Sequence, residues 1–261
     1  MDRLYRVIDG RGPRYVIERG GGCWYGLKGD IYTGYEAGPQ LDPEDVSAAR
    51  LLPPVIPSKI VAVGLNYRDH AKEMEKTLPD EPLIFLKPST AVVGPSDAIV
   101  LPVGAGRVDH EAELGIVIGK TAYQVPADCA QEYVLGLTCV NDVTDRDLQR
   151  RDVQYTRGKG FDTFAPIGPA IAVGLDGTSL DVQSAVNGEV RQSSNTRELI
   201  FSLDQLVEFV TGVMTLLPGD IISTGTPSGV GPLRAGDRVA VKVEGVGELI
   251  NDVVSDERSG R

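Results

Sequence analysis

Short runs of apolar, often β-branched residues alternate with polar ones along most of the chain, and turns rich in Gly and Pro separate them. A period of two is typical of β-strands. The pattern predicts strands over residues 4–8, 15–18, 24–27, 59–63, 83–86, 99–101, 114–118, 134–140, 170–173, 220–223, 238–244 and 248–253. The dipeptide Asn187-Gly188 predicts a tight hairpin turn.

Only two segments show a clear helical signal. Residues 203–214 place Leu206, Val207, Val210 and Met214 on one face, and Ser202 is a good helix cap. The second predicted helix covers residues 67–75. Many strands and few helices predict a mainly β fold, a sandwich or roll of mixed strands, rather than a doubly wound α/β fold.

A proline-rich connector divides the chain. Pro53, Pro54 and Pro57 lie within a stretch of five residues and make it stiff. We therefore predict a small N-terminal β domain over residues 1–55 and a larger domain over residues 56–261.

Composition narrows the possible partners. The chain has 261 residues and a net charge of −11, which argues against binding to nucleic acid or to an anionic membrane. An anionic substrate remains compatible, because a bound metal ion can reverse the local field. Three cysteines without a CxxC spacing favour reduced thiols, and we find no signal peptide and no apolar run long enough to span a membrane. We expect a cytoplasmic protein.

A pair of glutamates opens the strand predicted at residues 114–118. Glu111 and Glu113 are two residues apart, so both side chains point to the same face. Asp142 ends another predicted strand and is the best third ligand in the sequence. Carboxylate oxygens suit Mg²⁺, Mn²⁺ or Ca²⁺. The alternatives are a solvated strand face for the glutamates and a helix cap for Asp142.

Three further motifs carry reactive groups. His70 and Glu73 lie three residues apart on a predicted helix, where a carboxylate can orient an imidazole that acts as a general base. Lys159 stands between two glycines and could hold a carboxylate or polarise a carbonyl. Residues 223–231 are rich in Ser, Thr and Gly and could form an anion-binding nest. An incidental ion pair, a solvated lysine and an ordinary turn are the alternatives.

These motifs occur in an order that resembles the fumarylacetoacetate hydrolase superfamily, through essentially all of residues 57–255. The matching stretches are VGLNYRDH at residues 63–70, FLKPS at 85–89, the Glu111/Glu113 pair, NDVTDRDLQ at 141–149, KGFD at 159–162 and GTPSGVG at 225–231. Six motifs in order are highly specific, although each alone is weak.

The resemblance implies a mixed β-sandwich roll that forms a homodimer, with Mg²⁺ or Mn²⁺ (Ca²⁺ in some crystals) held by the two glutamates and Asp142. It places four residues around a small anionic keto-acid substrate: Arg146, Gln149, Lys159 and Thr226. It also makes His70 and Glu73 the dyad that activates water. Long animal-type members have an additional metal-binding aspartate near the position of Val63, so this chain resembles the short bacterial branch.

The favoured function is cleavage of a carbon–carbon bond in a 2,4-dioxo acid (an acylpyruvate), through an enolate that the metal ion stabilises. In this hypothesis His70 takes a proton from water and Lys159 stabilises negative charge. The same platform could instead isomerise or decarboxylate 2-hydroxymuconate-type dienoates in aromatic catabolism, or decarboxylate oxaloacetate. A dehydratase for sugar keto acids and a non-catalytic binding module are less favoured.

Overall fold

The protein is described here by a computed structural model that covers residues 1–256. The last five residues of the predicted second domain, 257–261, lie outside the described residues.

Residues 1–256 contain twenty strands: β1 (Asp2–Asp9), β2 (Gly12–Arg19), β3 (Cys23–Asp30), β4 (Gly34–Leu41), β5 (Arg50–Leu51), β6 (Lys59–Gly64), β7 (Leu83–Pro88), β8 (Val92–Val93), β9 (Ile99–Leu101), β10 (Val108–His110), β11 (Ala112–Ile118), β12 (Val134–Asn141), β13 (Thr144–Asp145), β14 (Ala165–Val173), β15 (Asp181–Val186), β16 (Glu189–Asn195), β17 (Ile221–Ser223), β18 (Gly231–Pro232), β19 (Arg238–Val243) and β20 (Gly247–Ser255).

Helices are short and few, and the predicted mainly β fold is confirmed. They are α1 (Pro43–Ser47), α2 (Arg68–Glu73), α3 (Arg146–Asp152), α4 (Thr156–Lys159) and α5 (Leu203–Val213), with 3₁₀ turns at Ser89–Ala91, Ala127–Tyr133 and Thr196–Glu198. Within residues 1–256, no helix has the length and apolarity required to cross a membrane.

The largest sheet has twelve strands, with the path β4-β3-β2-β1-β14-β12-β11-β17-β6-β7; β5 and β8 pair with β1 and β14. Strand β11 lies near its middle, and every residue of β11 is buried. Leu114 and Ile116 face one core cluster, which also contains residues of α5, β15 and β19. Val117 faces another, with Ile60 and Ile171. Burial on both faces explains the nearly continuous apolar run in this strand.

The N-terminal strands continue this sheet rather than forming one of their own. β1 pairs antiparallel with β14 through Leu4 and Ile171. Leu4 and Ile17 are fully buried in the same cluster as Ile60. Residues 2–41 therefore share both hydrogen bonds and core with the rest of the chain. The boundary at residue 55 stays a prediction.

A second sheet has five strands in the order β16-β15-β19-β20-β9, and it packs against the core cluster that contains Leu114 and Ile116. A third sheet has three strands in the order β13-β10-β18, and its β10 immediately precedes β11. The predicted hairpin at Asn187-Gly188 joins β15 to β16. Both turn residues have positive φ, 53° and 83°, as a type I′ turn requires.

Both predicted helices form. α5 begins after Ser202, which caps it together with Gln205 in a capping box, and it ends one residue before the predicted boundary. α2 is three residues shorter than predicted, because it spans only Arg68–Glu73. The strand β4 (Gly34–Leu41) was not predicted, since two glycines and a proline interrupt its apolar pattern.

Candidate metal centre and active site

Antiparallel pairing between β11 and β12 brings the three predicted carboxylates together. Ala112 pairs with Asn141, so Asp142 lies beside Glu111, and the Asp142 amide donates to the Glu111 carbonyl at 2.9 Å. One carboxylate oxygen from each of Glu111, Glu113 and Asp142 lies within 4.8 Å of the others. The three residues are at most 5% exposed, so the alternative of a solvated strand face is wrong.

The environment of Glu113 fits a cation. Burial, together with repulsion from Asp142 and Glu111, raises the pKa of Glu113 well above its ordinary value. Its Oε2 accepts hydrogen bonds from Ser223 Oγ at 2.5 Å and from the Gly225 amide at 2.9 Å, which fix the orientation of the carboxylate. Three buried, convergent carboxylates are a donor set of hard oxygens, and such a set could hold a divalent metal ion.

Two cationic side chains flank Glu111. Lys159 Nζ lies 2.6 Å from Glu111 Oε2 and 2.5 Å from Asp142 Oδ2, and Arg146 Nη2 lies 2.5 Å from Glu111 Oε1. Burial alone would raise the pKa of Glu111, but the charges of Arg146 and Lys159 outweigh it and hold that pKa below its ordinary value. Lys159 is 3% exposed, so the alternative of a solvated loop lysine is wrong.

A second buried lysine was missed by the sequence reasoning. Lys87 in β7 is fully buried and donates to Asp142 Oδ1 at 2.5 Å and to the Val143 carbonyl at 3.3 Å. Burial lowers its pKa, against the attraction of Asp142. A lysine inside the otherwise apolar segment Leu83–Pro88 was the signal available, because buried lysines are rare unless they are paired.

Of the predicted substrate residues, Arg146 and Lys159 contact these carboxylates directly, whereas Gln149 contacts Arg146 and Thr226 contacts the backbone of Ala112. Arg146 and Gln149 lie on α3, where Arg146 Nη1 donates to Gln149 Oε1 at 3.0 Å. α3 is capped by Asp145, which accepts two backbone amides; Asp142 is therefore not its cap. Thr226 is buried, and its hydroxyl donates to the Ala112 carbonyl at 2.9 Å.

The predicted dyad is formed on α2. His70 Nδ1 lies 2.9 Å from Glu73 Oε2. An ionised carboxylate only accepts, so Nδ1 carries the proton and Nε2 keeps a lone pair that can take a proton. The Gly229 amide donates to Glu73 Oε1 at 3.2 Å and holds that carboxylate in place.

One loop, residues 224–230, connects the carboxylate cluster to the dyad. Its Gly225 amide donates to Glu113 and its Gly229 amide donates to Glu73. The buried side chain of Asn66, two residues before α2, donates to the Thr224 carbonyl at 2.8 Å. Gly225 has φ +92°, and a Cβ there would lie 2.8 Å from the Cβ of Asn66, so only glycine fits this approach.

Several known proteins are similar to this chain in sequence and in fold. A family model described as fumarylacetoacetate (FAA) hydrolase C-terminal matches residues 59–254. The 5-carboxymethyl-2-hydroxymuconate delta-isomerase from Mycobacterium smegmatis is 44% identical to this chain, with a TM-score of 0.90 over 97% of this chain and 100% of that one. A mitochondrial oxaloacetate tautomerase of Bos taurus is 44% identical over 216 residues, which are 78% of this chain and 69% of the relative.

A third relative carries a metal ion. The maleylpyruvate hydrolase from Sphingobium sp. SYK-6, solved in complex with manganese (II) ion and pyruvate, is 32% identical. Its TM-score is 0.79, and the match covers 98% of this chain and 100% of that one. Hydrolases and isomerases both occur among the relatives, which supports an enzymatic role. The match over residues 59–254 and the likeness of the whole fold show that the chain belongs to the fumarylacetoacetate hydrolase family.

Proposed function

We propose that this protein is a metal-dependent hydrolase that cleaves a carbon–carbon bond in 2,4-dioxo acids. The observation that carries the proposal is the loop 224–230, which holds a carboxylate of the metal candidate at one end and the Glu73 carboxylate of a His–Glu pair at the other. A non-catalytic binding module has no need for a His–Glu pair held by the same loop that orients a metal-ligand candidate. The bond to be cleaved requires both a stabilised enolate and an activated water.

The proposed metal ion is Mg²⁺ or Mn²⁺, held by Glu111, Glu113 and Asp142. When bound, it would supply Lewis-acid stabilisation to the negative charge that develops on the substrate oxygens. The relative solved with manganese and pyruvate supports both the ion and the keto-acid class.

The side chains of this protein would supply proton transfer and further charge stabilisation. His70 Nε2 takes a proton from water, and Glu73 stabilises the imidazolium that results. Arg146 and Lys159, both against Glu111, add positive charge for the substrate oxygens. Gln149 accepts a hydrogen bond from Arg146 and holds it in position.

Isomerisation of 2-hydroxymuconate-type dienoates or tautomerisation of a keto acid is the second candidate. It needs the same enolate but no attack by water. The two relatives at 44% identity, named as an isomerase and a tautomerase, favour it. Decarboxylation of oxaloacetate would also use this platform, while dehydration of sugar keto acids is supported by none of these relatives.

A substrate panel with Mg²⁺ or Mn²⁺ tests the proposal. Acylpyruvates, a 2-hydroxymuconate-type dienoate and oxaloacetate are supplied in turn, and pyruvate, carbon dioxide and ultraviolet absorbance are followed. Stoichiometric pyruvate from acylpyruvates is the expected result. An absorbance change with conserved mass and no pyruvate would favour the second candidate, and release of carbon dioxide would favour decarboxylation.

His70→Ala separates hydrolysis from binding. We expect the variant to lose hydrolysis while it still binds Mn²⁺ and oxalate, a mimic of pyruvate enolate. The matched control is Lys72→Ala, which changes an exposed side chain on the same helix. Hydrolysis of acylpyruvates by His70→Ala at the parental rate would refute the role of the dyad.

We also propose a homodimer. β7 is an edge strand of the large sheet, and its Leu83 and Leu86 are 52% and 46% exposed. Unpaired strand edges with apolar side chains favour association with another chain. The molar mass in solution, measured by light scattering, tests this proposal; a monomer at micromolar concentration would contradict it.

A further inference from the structure

A buried glutamine outside the predicted site contacts the carboxylate-bearing strand. Gln192 lies in β16, on the second sheet, and is fully buried. The ladder between β15 and β16 shifts here: Ser184 pairs with Gln192, whereas Ala185 pairs with Val190, so Arg191 is an extra residue. Such bulges redirect a neighbouring side chain, and they are common beside active sites.

The side-chain oxygen of Gln192 accepts a hydrogen bond from the backbone between the two glutamates. Gln192 Oε1 accepts from the Ala112 amide at 2.9 Å, and Ala112 stands directly between Glu111 and Glu113. The same oxygen accepts from Ser184 Oγ at 3.0 Å and lies 3.2 Å from His110 Nδ1. Because the oxygen can only accept, the proton of this imidazole lies on Nδ1.

The side-chain nitrogen of Gln192 donates hydrogen bonds to the loop that follows β17. Gln192 Nε2 donates to Thr226 Oγ at 2.7 Å and to the Pro227 carbonyl at 2.9 Å. Thr226 Oγ in turn donates its only proton to the Ala112 carbonyl. The hydroxyl can therefore offer a ligand only its remaining acceptor capacity.

The same strand also reaches the helix that carries the dyad. Ser194, two residues after Gln192, donates through Oγ to Asp69 Oδ2 at 2.6 Å, and Asp69 is the second residue of α2. Residues two apart on a strand face the same side. β16 thus contacts the carboxylate strand, the loop with Thr226 and the base helix.

We propose that Gln192 is a positioning residue, which aligns Glu111 and Glu113 through Ala112 and fixes the orientation of the Thr226 hydroxyl. This inference rests on the proposed function for its catalytic meaning, because the side-chain partners of Gln192 are groups of the protein itself. Hydrogen-bonding partners of this kind set the orientation of ligand carboxylates.

The decisive variant is Gln192→Met, which keeps the length of the side chain and removes every hydrogen bond. Binding of Mn²⁺ is measured by electron paramagnetic resonance, which gives both the dissociation constant and the spectrum of the bound ion. We expect the dissociation constant to rise about 10- to 100-fold, with a changed spectrum. On the best substrate of the panel, kcat should fall by a similar factor of about 10 to 100 while KM changes less.

Gln183→Met is the matched control. It makes the same substitution in the neighbouring strand β15, at a side chain whose contact is an exposed one to Ser193. Parental Mn²⁺ affinity, spectrum and kcat are expected for it. Should Gln192→Met also show parental values per folded molecule, Gln192 is only structural and the proposal is overturned.

Gln192→Glu keeps the test decisive if Gln192→Met does not fold. It keeps the shape and the oxygen acceptor for Ala112, but it loses both donations to the loop. A bound Mn²⁺ with a lowered kcat supports the proposal, and a parental kcat overturns it. A parental protein inactive on the whole panel would refute the proposed function, whereas the Mn²⁺ affinity and spectrum would still decide the role of Gln192.

Discussion

At the scale of single residues, Glu111 is a candidate metal ligand with a cationic partner at each carboxylate oxygen. Arg146 and Lys159 pair with its two oxygens, and both pairs are largely buried. We expect Glu111→Gln to abolish Mn²⁺ binding and metal-dependent turnover, because it removes one of three anionic ligands. It also removes one of the two carboxylate partners of Lys159 and of Arg146, which keep Asp142 and Asp109 respectively, so we expect the free energy of unfolding to fall by about 1–3 kcal/mol.

Calorimetric titration with Mn²⁺ and unfolding in urea measure the two effects separately. The matched control is Glu132→Gln, an exposed glutamate in the turn before β12, which should leave both unchanged. Turnover by Glu111→Gln without added metal would contradict the metal site.

Asp220 gives a prediction on the pH dependence of stability. Its side chain is buried and accepts from the amides of Ser58, Lys59 and Leu217, from the Ser58 hydroxyl and from the Lys59 ammonium. Burial alone would raise the pKa of Asp220, but the Leu217 amide and Lys59 outweigh it and lower that pKa. The stabilisation that ionised Asp220 gives to the folded protein is therefore complete above the pKa of this residue in the unfolded chain, about 4. It is lost as the pH falls through the lower pKa of Asp220 in the folded protein.

Asp220→Asn should lower the free energy of unfolding at pH 7 by about 1–3 kcal/mol, because several donors lose a charged acceptor. Urea unfolding of parent and variant should give curves that converge as the pH falls below about 4. Asp80→Asn, at an exposed aspartate, is the control. A difference between parent and Asp220→Asn that grows in acid would contradict the argument.

At the scale of elements, the start of α2 depends on one buried side chain. Asn66 Nδ2 donates to the carbonyls of Thr224 and Phe201, and its Oδ1 accepts from the Phe201 amide. Asn66→Ala leaves these buried groups without partners, at a cost of about 1–3 kcal/mol each. We expect α2 to loosen, with faster hydrogen exchange over residues 67–75 and a lower kcat.

Mn²⁺ affinity should fall less than kcat in Asn66→Ala, because Glu113 keeps its hydrogen bond from Ser223 and the other two carboxylates do not contact the loop. Lys72→Ala, which trims an exposed side chain within α2, is the comparison. Unchanged exchange in α2, or a loss of Mn²⁺ affinity as large as the loss of kcat, would show that Asn66 does not act through the helix.

Elements with a strong local pattern could be predicted from the sequence, and others could not. β11 and α5 were predicted closely, because continuous burial and a capped amphipathic face leave local signals. Asp142 could be proposed as the third ligand because it ends an apolar strand. The register of β11 with β12, which brings Asp142 to Glu111, is a long-range contact that no local pattern shows. Lys87 and Gln192 were missed, since their partners lie 55 and 80 residues away.

At the scale of the whole molecule, the first forty residues extend the sheet that carries the site. β1 joins β14, and β14 joins β12, the strand that precedes Asp142. Val7, Val16 and Val46 form a small cluster of their own, whereas Leu4 and Ile17 pack with Ile60 and Ile171. We therefore expect the front of the chain and the site to unfold together.

This coupling predicts a single unfolding transition. Leu4→Ala removes a fully buried side chain and should destabilise the protein by about 2–5 kcal/mol. Because β1 shares a sheet and a core with β14, calorimetry should show one peak that moves to lower temperature as a whole, and Mn²⁺ binding should be lost over the same range. Leu78→Ala, at a side chain 51% exposed, should leave the peak in place. Two peaks, of which Leu4→Ala moves only the smaller, would instead show that residues 1–55 unfold as a domain of their own.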